Sequence, residues 1–331
     1  MSIESDTNRK SFSQQLLKLI TNETLGAIFI VIIIAIIMIV STDSFLTIRN
    51  ITNVLRVASF YIIVAMGAML VIIIGQLDLS VGSTMGLAGI VASLMARDGD
   101  YPIIIIFLLC TLIGVGIGAI NGLLVGYMKL PAFIVTLGML LSVRGCVQLT
   151  TMGNPVNGLS DAFNNIGIST FLSVPTPIYI MILIVALIWF LQNRTLLGRH
   201  LYAVGSNVQA AIVSGIDAKR VTLYAYTICG ALAGFSGTLL TSRMMSGQVS
   251  LGDGYELLAI AGVVIGGASI MGGSGTAIGT VFGMLVICLV TNAMTLIGLN
   301  AFLQPIVQGI IIILAMMLDT GRRSLKNRIR V

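Results

Sequence analysis

The chain is expected to be an all-α, polytopic membrane protein of about ten transmembrane helices. The helices should fall into two inverted-repeat-like halves, with both termini cytoplasmic. Three observations predict this. Of 331 residues, 57% are hydrophobic and only 9% charged, whereas a soluble domain is about a quarter charged. Apolar runs of spanning length recur along nearly the whole sequence, and the connections between them are too short for a separately folded soluble domain. Lys and Arg alternate in density from one connection to the next. Residues 1–331 therefore read as a single transmembrane domain with lipid as its main solvent.

Residues 1–24 are polar and mixed in charge, with Arg9, Lys10 and Lys18. No small-residue cleavage pattern follows the first apolar run, so the first helix is retained and not removed as a signal peptide. Phe12, Leu16, Leu19 and Ile20 recur at helical spacing, as in a helix lying on the inner membrane surface. The spans follow at 25–41, 57–74, 81–96, 102–127, 132–150, 176–192, 221–242, 255–270, 276–297 and 301–318. Those at 81–96 and 255–270 are short and glycine-rich, which fits interior or broken helices. With the N-terminus inside, the inner segments also carry Lys129, Arg194, Arg199, Lys219, Arg220 and a basic tail over 319–331. The outer segments carry only Arg49, Arg56, Arg97 and Arg243. That bias supports two inner termini and an even number of spans. The stretch 151–175 has neither Lys nor Arg and reads as the largest outer loop.

An internal echo links the halves. Gly75-Gln76-Leu77-Asp78-Leu79-Ser80-Val81-Gly82 precedes one short helix, and Gly247-Gln248-Val249-Ser250-Leu251-Gly252 precedes the other. In this topology the two segments start from opposite sides of the membrane. An inverted repeat of helices 2–5 against 7–10 has that pattern, and transporters use such repeats to build a pathway between halves.

Composition excludes several chemistries. No GxxxxGK[ST] loop is present, and the nearest glycine cluster, Gly272-Gly273-Ser274-Gly275, lacks the lysine that holds phosphates; the chain does not hydrolyse ATP alone. His200 is the single histidine and the acids are scattered, so no catalytic residue and no metal set is assigned. Cys110, Cys146, Cys229 and Cys288 each sit in an apolar run without metal-ligand spacing. The net charge of +6 lies at membrane borders, not on a basic face with interleaved aromatics, so no nucleic-acid partner is expected.

The longest inner loop, 193–220, is the best docking candidate. Asn207 can cap a short helix through Ala210, Ala211, Ile212 and Val213, which Gly215 ends in the left-handed conformation. Acids near a membrane are costly and draw functional hypotheses. Asp253 and Glu256 nevertheless read first as a capping box opening the eighth helix. Asp78, beside Ser80 and Ser83, either favours the positive end of the third helix or lines a polar vestibule. Arg144 lies about 18 Å into the fifth helix, where it has a pathway or pairing role or snorkels outward. Gly114, Gly118 and Gly122, then Gly275, Gly279 and Gly283, are spaced for close helix contact.

Four stretches together resemble one family: GQLDLSVGS from Gly75, LGRHLYAVGSNVQAAIVSGI from Leu197, GYELLAIAGVVIGG from Gly254 and GGSGTAIGTVFG from Gly272. The likeness continues through Asn292, Gly298, Gly309 and Asp319. It is to the membrane permease subunits of ribose-type ATP-binding-cassette sugar importers of the bacterial inner membrane. The resemblance implies a second permease copy or close relative, two nucleotide-binding subunits that carry ATP and Mg, and an extracytoplasmic sugar-binding protein. It implies that Gly205, Ser206, Asn207, Ala210, Ala211, Ser214 and Gly215 form the helix that couples to the ATPase. Asp78, Ser80, Ser83, Arg144, Glu256 and Asn292 are then candidate pathway or gate residues, with Asp253 a structural cap. The chain departs from the family pattern at Gln76, where a small residue is usual, and at Leu258, where an acid is. The expected function is import of a small sugar or polyol by alternating access, and the alternative is an ion-coupled secondary carrier.

Overall fold

The computed structural model describes residues 23–98 and 101–311, together with 313, 314 and 317. The expected surface helix before Glu23 and the tail 319–331 lie outside these residues. The elements are α1 (Glu23–Ser41), α2 (Ile48–Ile73), α3 (Val81–Asp98), α4 (Ile103–Gly126), α5 (Ala132–Thr151), α6 (Asp161–Ile168), β1 (Thr170–Phe171), β2 (Val174–Pro175), α7 (Thr176–Arg194), α8 (Leu196–Ser206), α9 (Val208–Val213), α10 (Ala218–Met244), α11 (Tyr255–Ile265) and α12 (Ala277–Leu296). A 3₁₀ turn, Ala301–Leu303, leads into α13 over 304–311. Among the described residues, α2, α4, α5, α7, α10 and α12 are long and apolar enough to cross a membrane. Shorter apolar helices lie within α1, α3 and α11. The chain is thus an all-α polytopic membrane protein.

Helix α2 begins nine residues before the expected 57, because the Thr47 hydroxyl accepts from the Asn50 amide and caps it. Arg49, Asn50, Asn53 and Arg56, whose polarity reads as loop, therefore occupy its first turns. From Ala58 onward it is buried on nearly every side, as a helix apolar all round must be. Helix α10 packs on it, Ser236 Oγ donating to the Phe60 carbonyl at 2.9 Å. Helix α4 runs antiparallel to α10 in near backbone contact: a Cβ at Gly114 would strike the Gly230 carbonyl, one at Gly118 the Tyr226 carbonyl and one at Gly122 the Leu223 backbone. Gly279 and Gly283 likewise abut the carbonyls of Gly266 and Gly262, joining α12 to α11. Small residues bring helices this close where lipid supplies no hydrophobic drive. Gly275, the third of that series, instead sits in the preceding turn at φ 145.

The outer loop is more ordered than its composition predicts. It holds α6 and a hairpin in which Thr170 pairs with Pro175 and Phe171 with Val174. Leu172 and Ser173 both take positive φ in its two-residue turn, as a primed turn requires. The inner loop holds two helices, α8 and α9, before α10 starts at Ala218, where Asp217 accepts from the Lys219 and Arg220 amides.

Two segments break the spanning pattern. Helix α11 has 11 residues, about 16 Å at 1.5 Å per residue, half of a roughly 30 Å hydrocarbon core. The segment before α3 starts beside the inner loops, where Gly273 N donates to the Ile73 carbonyl at 2.8 Å. The segment before α11 starts beside the outer loop, Gly247 and Val156 exchanging two backbone hydrogen bonds. The two then meet: a Cβ at Gly82 would strike the Gly252 carbonyl, and one at Gly252 the Gly82 carbonyl. The sequence echo marks two discontinuous helices that start from opposite faces and touch at their tips. Irregular backbone at this depth is tolerated because protein surrounds it.

Candidate functional site

The predicted site residues fall into three clusters. At the inner end, Asn207 Oδ1 accepts from the Ala210 amide at 3.0 Å and opens α9. Ser214 Oγ donates to the Ala210 carbonyl at 2.9 Å. Gly215 has φ 85, and Ile216 N reaches back to the Ala211 carbonyl at 3.0 Å, a hydrogen bond that closes the helix end. Only Ala211 faces inward; Ile212 and Val213 are 51% and 88% exposed. Ser206, the last residue of α8, and Gly205 bind this unit to the core: a Cβ at Gly205 would strike the Ile73 carbonyl and Gly273 N, and one at Gly273 would meet Ser206 Oγ. Sequence reasoning missed the second anchor, Gln192. Its Nε2 donates to the Tyr202 hydroxyl at 2.6 Å and the Gly275 carbonyl at 2.9 Å, and its Oε1 accepts from Ala277 N at 3.0 Å. A glutamine at the end of an apolar run was the available signal.

The second cluster surrounds the crossing. Asp78, 3% exposed, accepts from the Ser80 amide at 2.8 Å and its hydroxyl at 2.6 Å. Asn121 Nδ2 donates to Ser80 Oγ at 2.9 Å, and Ser83 Oγ donates to the Ser80 carbonyl at 2.9 Å. Asp78 thus orders Ser80, the residue that precedes α3. Glu256 Oε2 lies against Gly82. The expected capping box does not form. Gly254, at φ 78, is the N-cap of α11 and offers no side chain, and Asp253 turns away to pair with Arg144 Nη2 at 2.5 Å. Arg144 Nη1 also donates to the Val249 and Leu251 carbonyls at 3.1 and 3.0 Å. Arg144 therefore holds the outer re-entrant segment to α5. The partners differ in burial, Arg144 being 16% and Asp253 59% exposed, so Asp253→Asn should cost little. Arg144→Gln should cost about 1–3 kcal/mol, because two carbonyls lose their donor. Melting of both variants in detergent gives the ordering.

The third cluster lies at the outer ends of α2 and α12. Asn292 and Asn50 exchange side-chain hydrogen bonds of 2.8 and 3.1 Å. Asn292, with Asn53, Tyr61, Leu258 and Thr291, lines a cavity of about 140 Å³. Tyr61 stacks on Tyr255, ring centroids 4.3 Å apart. A larger cavity, about 750 Å³ and lined by Arg49, Asn50 and Arg56, shares Asn53 with it. Of the two departures from the family pattern, Leu258 is on the wall of the smaller cavity, and Gln76 carries a buried Oε1 with no hydrogen-bond partner among the described residues.

Residues 50–316 match the family model described as branched-chain amino acid transport system / permease component. The ribose import permease protein of Escherichia coli K12 is 36% identical over 327 residues, 98% of this chain and 100% of that protein. The D-allose transport system permease protein of the same organism is 35% identical, over 89% of this chain and 90% of that protein. Its galactose/methyl galactoside import permease protein is 34% identical, over 97% and 99%. No solved structure matches the chain.

Proposed function

Because this chain belongs to the permease family of branched-chain amino acid transport systems, and aligns from end to end with sugar import permeases, we propose that it is the permease subunit of an ATP-binding-cassette importer for a small sugar. It is a multi-pass protein of the bacterial inner membrane, and as a transport subunit it is not itself an enzyme. ATP and Mg are bound by two nucleotide-binding partners inside, and a soluble binding protein delivers the sugar outside. A second copy of the chain or a close relative completes the pathway.

The observation that carries the reading is the end-to-end likeness. The capped, exposed helix α9 supports its coupling step. In this mechanism the ATPase pushes on α9. The rigid α8–α9 unit passes the displacement through Gly205 to the end of α2 and the Gly272–Gly275 turn, and so to both discontinuous helices. The segments touching at Gly82 and Gly252 then change their packing, and the pathway opens on one side as it closes on the other. Asp78 and Arg144 keep the ends of α3 and the outer segment in place through that change.

Uptake into right-side-out proteoliposomes that hold ATP in the lumen, with both partner subunits reconstituted and the binding protein supplied outside, tests this. Labelled ribose, allose or galactose should accumulate when ATP is supplied and continue to do so after an ionophore collapses proton and sodium gradients. Uptake that stops with the gradient while ATP persists would establish the ion-coupled carrier instead.

A further inference from the structure

A buried side-chain amide joins α2, α7, α8 and α12 at the inner end of the bundle. Gln192, in the last turn of α7, is 3% exposed. Its Nε2 donates to the Tyr202 hydroxyl of α8 at 2.6 Å and to the Gly275 carbonyl at 2.9 Å. Its Oε1 accepts at 3.0 Å from the amide of Ala277, the first residue of α12. The Tyr202 hydroxyl donates its own hydrogen to the same Gly275 carbonyl at 2.6 Å, and Met69 Sδ of α2 lies 3.9 Å from Nε2. The partners fix which way the amide points, because the Ala277 N–H can only donate and the Gly275 carbonyl can only accept. A side-chain amide offers both donors and the acceptor on one planar group; a carboxylate, hydroxyl or guanidinium does not.

The amide has all its partners, so the cluster is closed to a ligand, and a buried network satisfied in this way rigidifies what it joins. It joins α8, which continues into the exposed helix α9, to the turn between α11 and α12 and to the first residue of α12. The other contact of that unit, Gly205 against Ile73 and Gly273, is steric. Packed atoms resist approach strongly and separation weakly, since each pair attracts by only about 0.1–0.2 kcal/mol. Hydrogen bonds are directional and resist both, and a transport cycle needs the return movement as much as the push. We propose that Gln192 is a positioning residue of the transport cycle: with Tyr202 it forms the hydrogen-bonded joint that makes the Gly272–Gly275 turn and α12 follow α8 and α9 in both directions. The inference rests on the importer reading and deepens it, because it assigns the return movement to a buried pair apart from the exposed face of α9. Loosening the joint leaves that face unaltered, so ATP is still hydrolysed while less solute crosses for each ATP.

The test uses the full importer in the same proteoliposomes, with whichever of labelled D-ribose, D-allose and D-galactose the unaltered chain accumulates. The readout is sugar accumulated per phosphate released in the lumen, a ratio that does not change with the amount of folded protein. Gln192→Met keeps the length of the side chain and fills the same space but removes the hydrogen bonds to Tyr202, Gly275 and Ala277. It should lower the ratio at least about fivefold while the ATPase still co-purifies. Tyr202→Phe removes the hydroxyl alone and should lower the ratio by less. The double variant should fall no further than Gln192→Met, because the two side chains act as one unit. Ser236→Ala, which removes a buried hydrogen bond between α10 and α2, is the structural control and should keep the ratio of the unaltered chain. Uptake and hydrolysis that fall together in Gln192→Met, with the ratio unchanged, would overturn the joint alone. If Gln192→Met does not assemble, an unchanged ratio in Tyr202→Phe overturns it. Uptake by the unaltered chain that does not depend on ATP, or no uptake of the three sugars, would overturn the importer reading for these solutes and the joint with it.

Discussion

Gly82→Val and Gly252→Val should each yield little or no monodisperse protein in detergent. At Gly82 the first added carbon already meets the Gly252 carbonyl and Glu256 Oε2, and at Gly252 it meets the Gly82 carbonyl. Backbone atoms cannot swing aside as a side chain can. Overpacking in a close-packed interior costs about 1–3 kcal/mol and more where nothing yields. Gly252 also has φ 81, which adds about 1–2 kcal/mol for a residue with a Cβ. A combined cost near 4 kcal/mol corresponds to a melting midpoint lower by roughly 10 °C. Gly116→Ala is the internal comparison: nothing lies within 4 Å of its added carbon, and in a helix the change is worth up to about 1 kcal/mol in favour of alanine. If Gly82→Val melts with Gly116→Ala, the two discontinuous helices do not touch as described.

That contact shows where sequence reasoning succeeds and where it stops. The fold class and the two broken helices were legible, because apolar run length, glycine density and the GQ-containing echo are one-dimensional signals. The cap at Asn207 and the left-handed Gly215 were legible for the same reason: both act within four residues. The pairing of Arg144 with Asp253 was not, since the two are far apart in sequence and a local capping box explained Asp253 and Glu256 equally well. Gly254 decides it, for at φ 78 it takes the N-cap position itself and leaves Asp253 free to turn to α5. The start of α2 was misplaced because Arg49, Asn50, Asn53 and Arg56 read as a polar loop. In the fold these four side chains line the larger outer cavity and do not form a connection. The mutual hydrogen bonds of Asn50 and Asn292 arise only once α2 and α12 lie side by side.

Ile212→Glu with Val213→Glu should leave the fold intact and lower ATP-driven uptake by more than tenfold. Both side chains are largely exposed, so charging them removes no internal contact, and the melting midpoint should match that of the unaltered chain. If the ATPase packs on α9, each carboxylate enters that interface without a partner. Loss of a well-packed interface anchor costs about 2 kcal/mol or more, about thirtyfold in affinity, so the ATPase should also fail to co-purify. Asn207→Ala should act differently. It removes the hydrogen bond to the Ala210 amide at a cost of about 1 kcal/mol of local helix stability, so it should weaken co-purification partially without introducing charge. Gly205→Val should fail by a third route, at the junction with Ile73 and Gly273, with stability and uptake falling together. An ion-coupled carrier has no use for an exposed inner helix and would tolerate the two glutamates. Full uptake by the doubly charged variant therefore removes the coupling role of α9, whereas loss of uptake with an unchanged melting midpoint assigns that face to the subunit that supplies the energy.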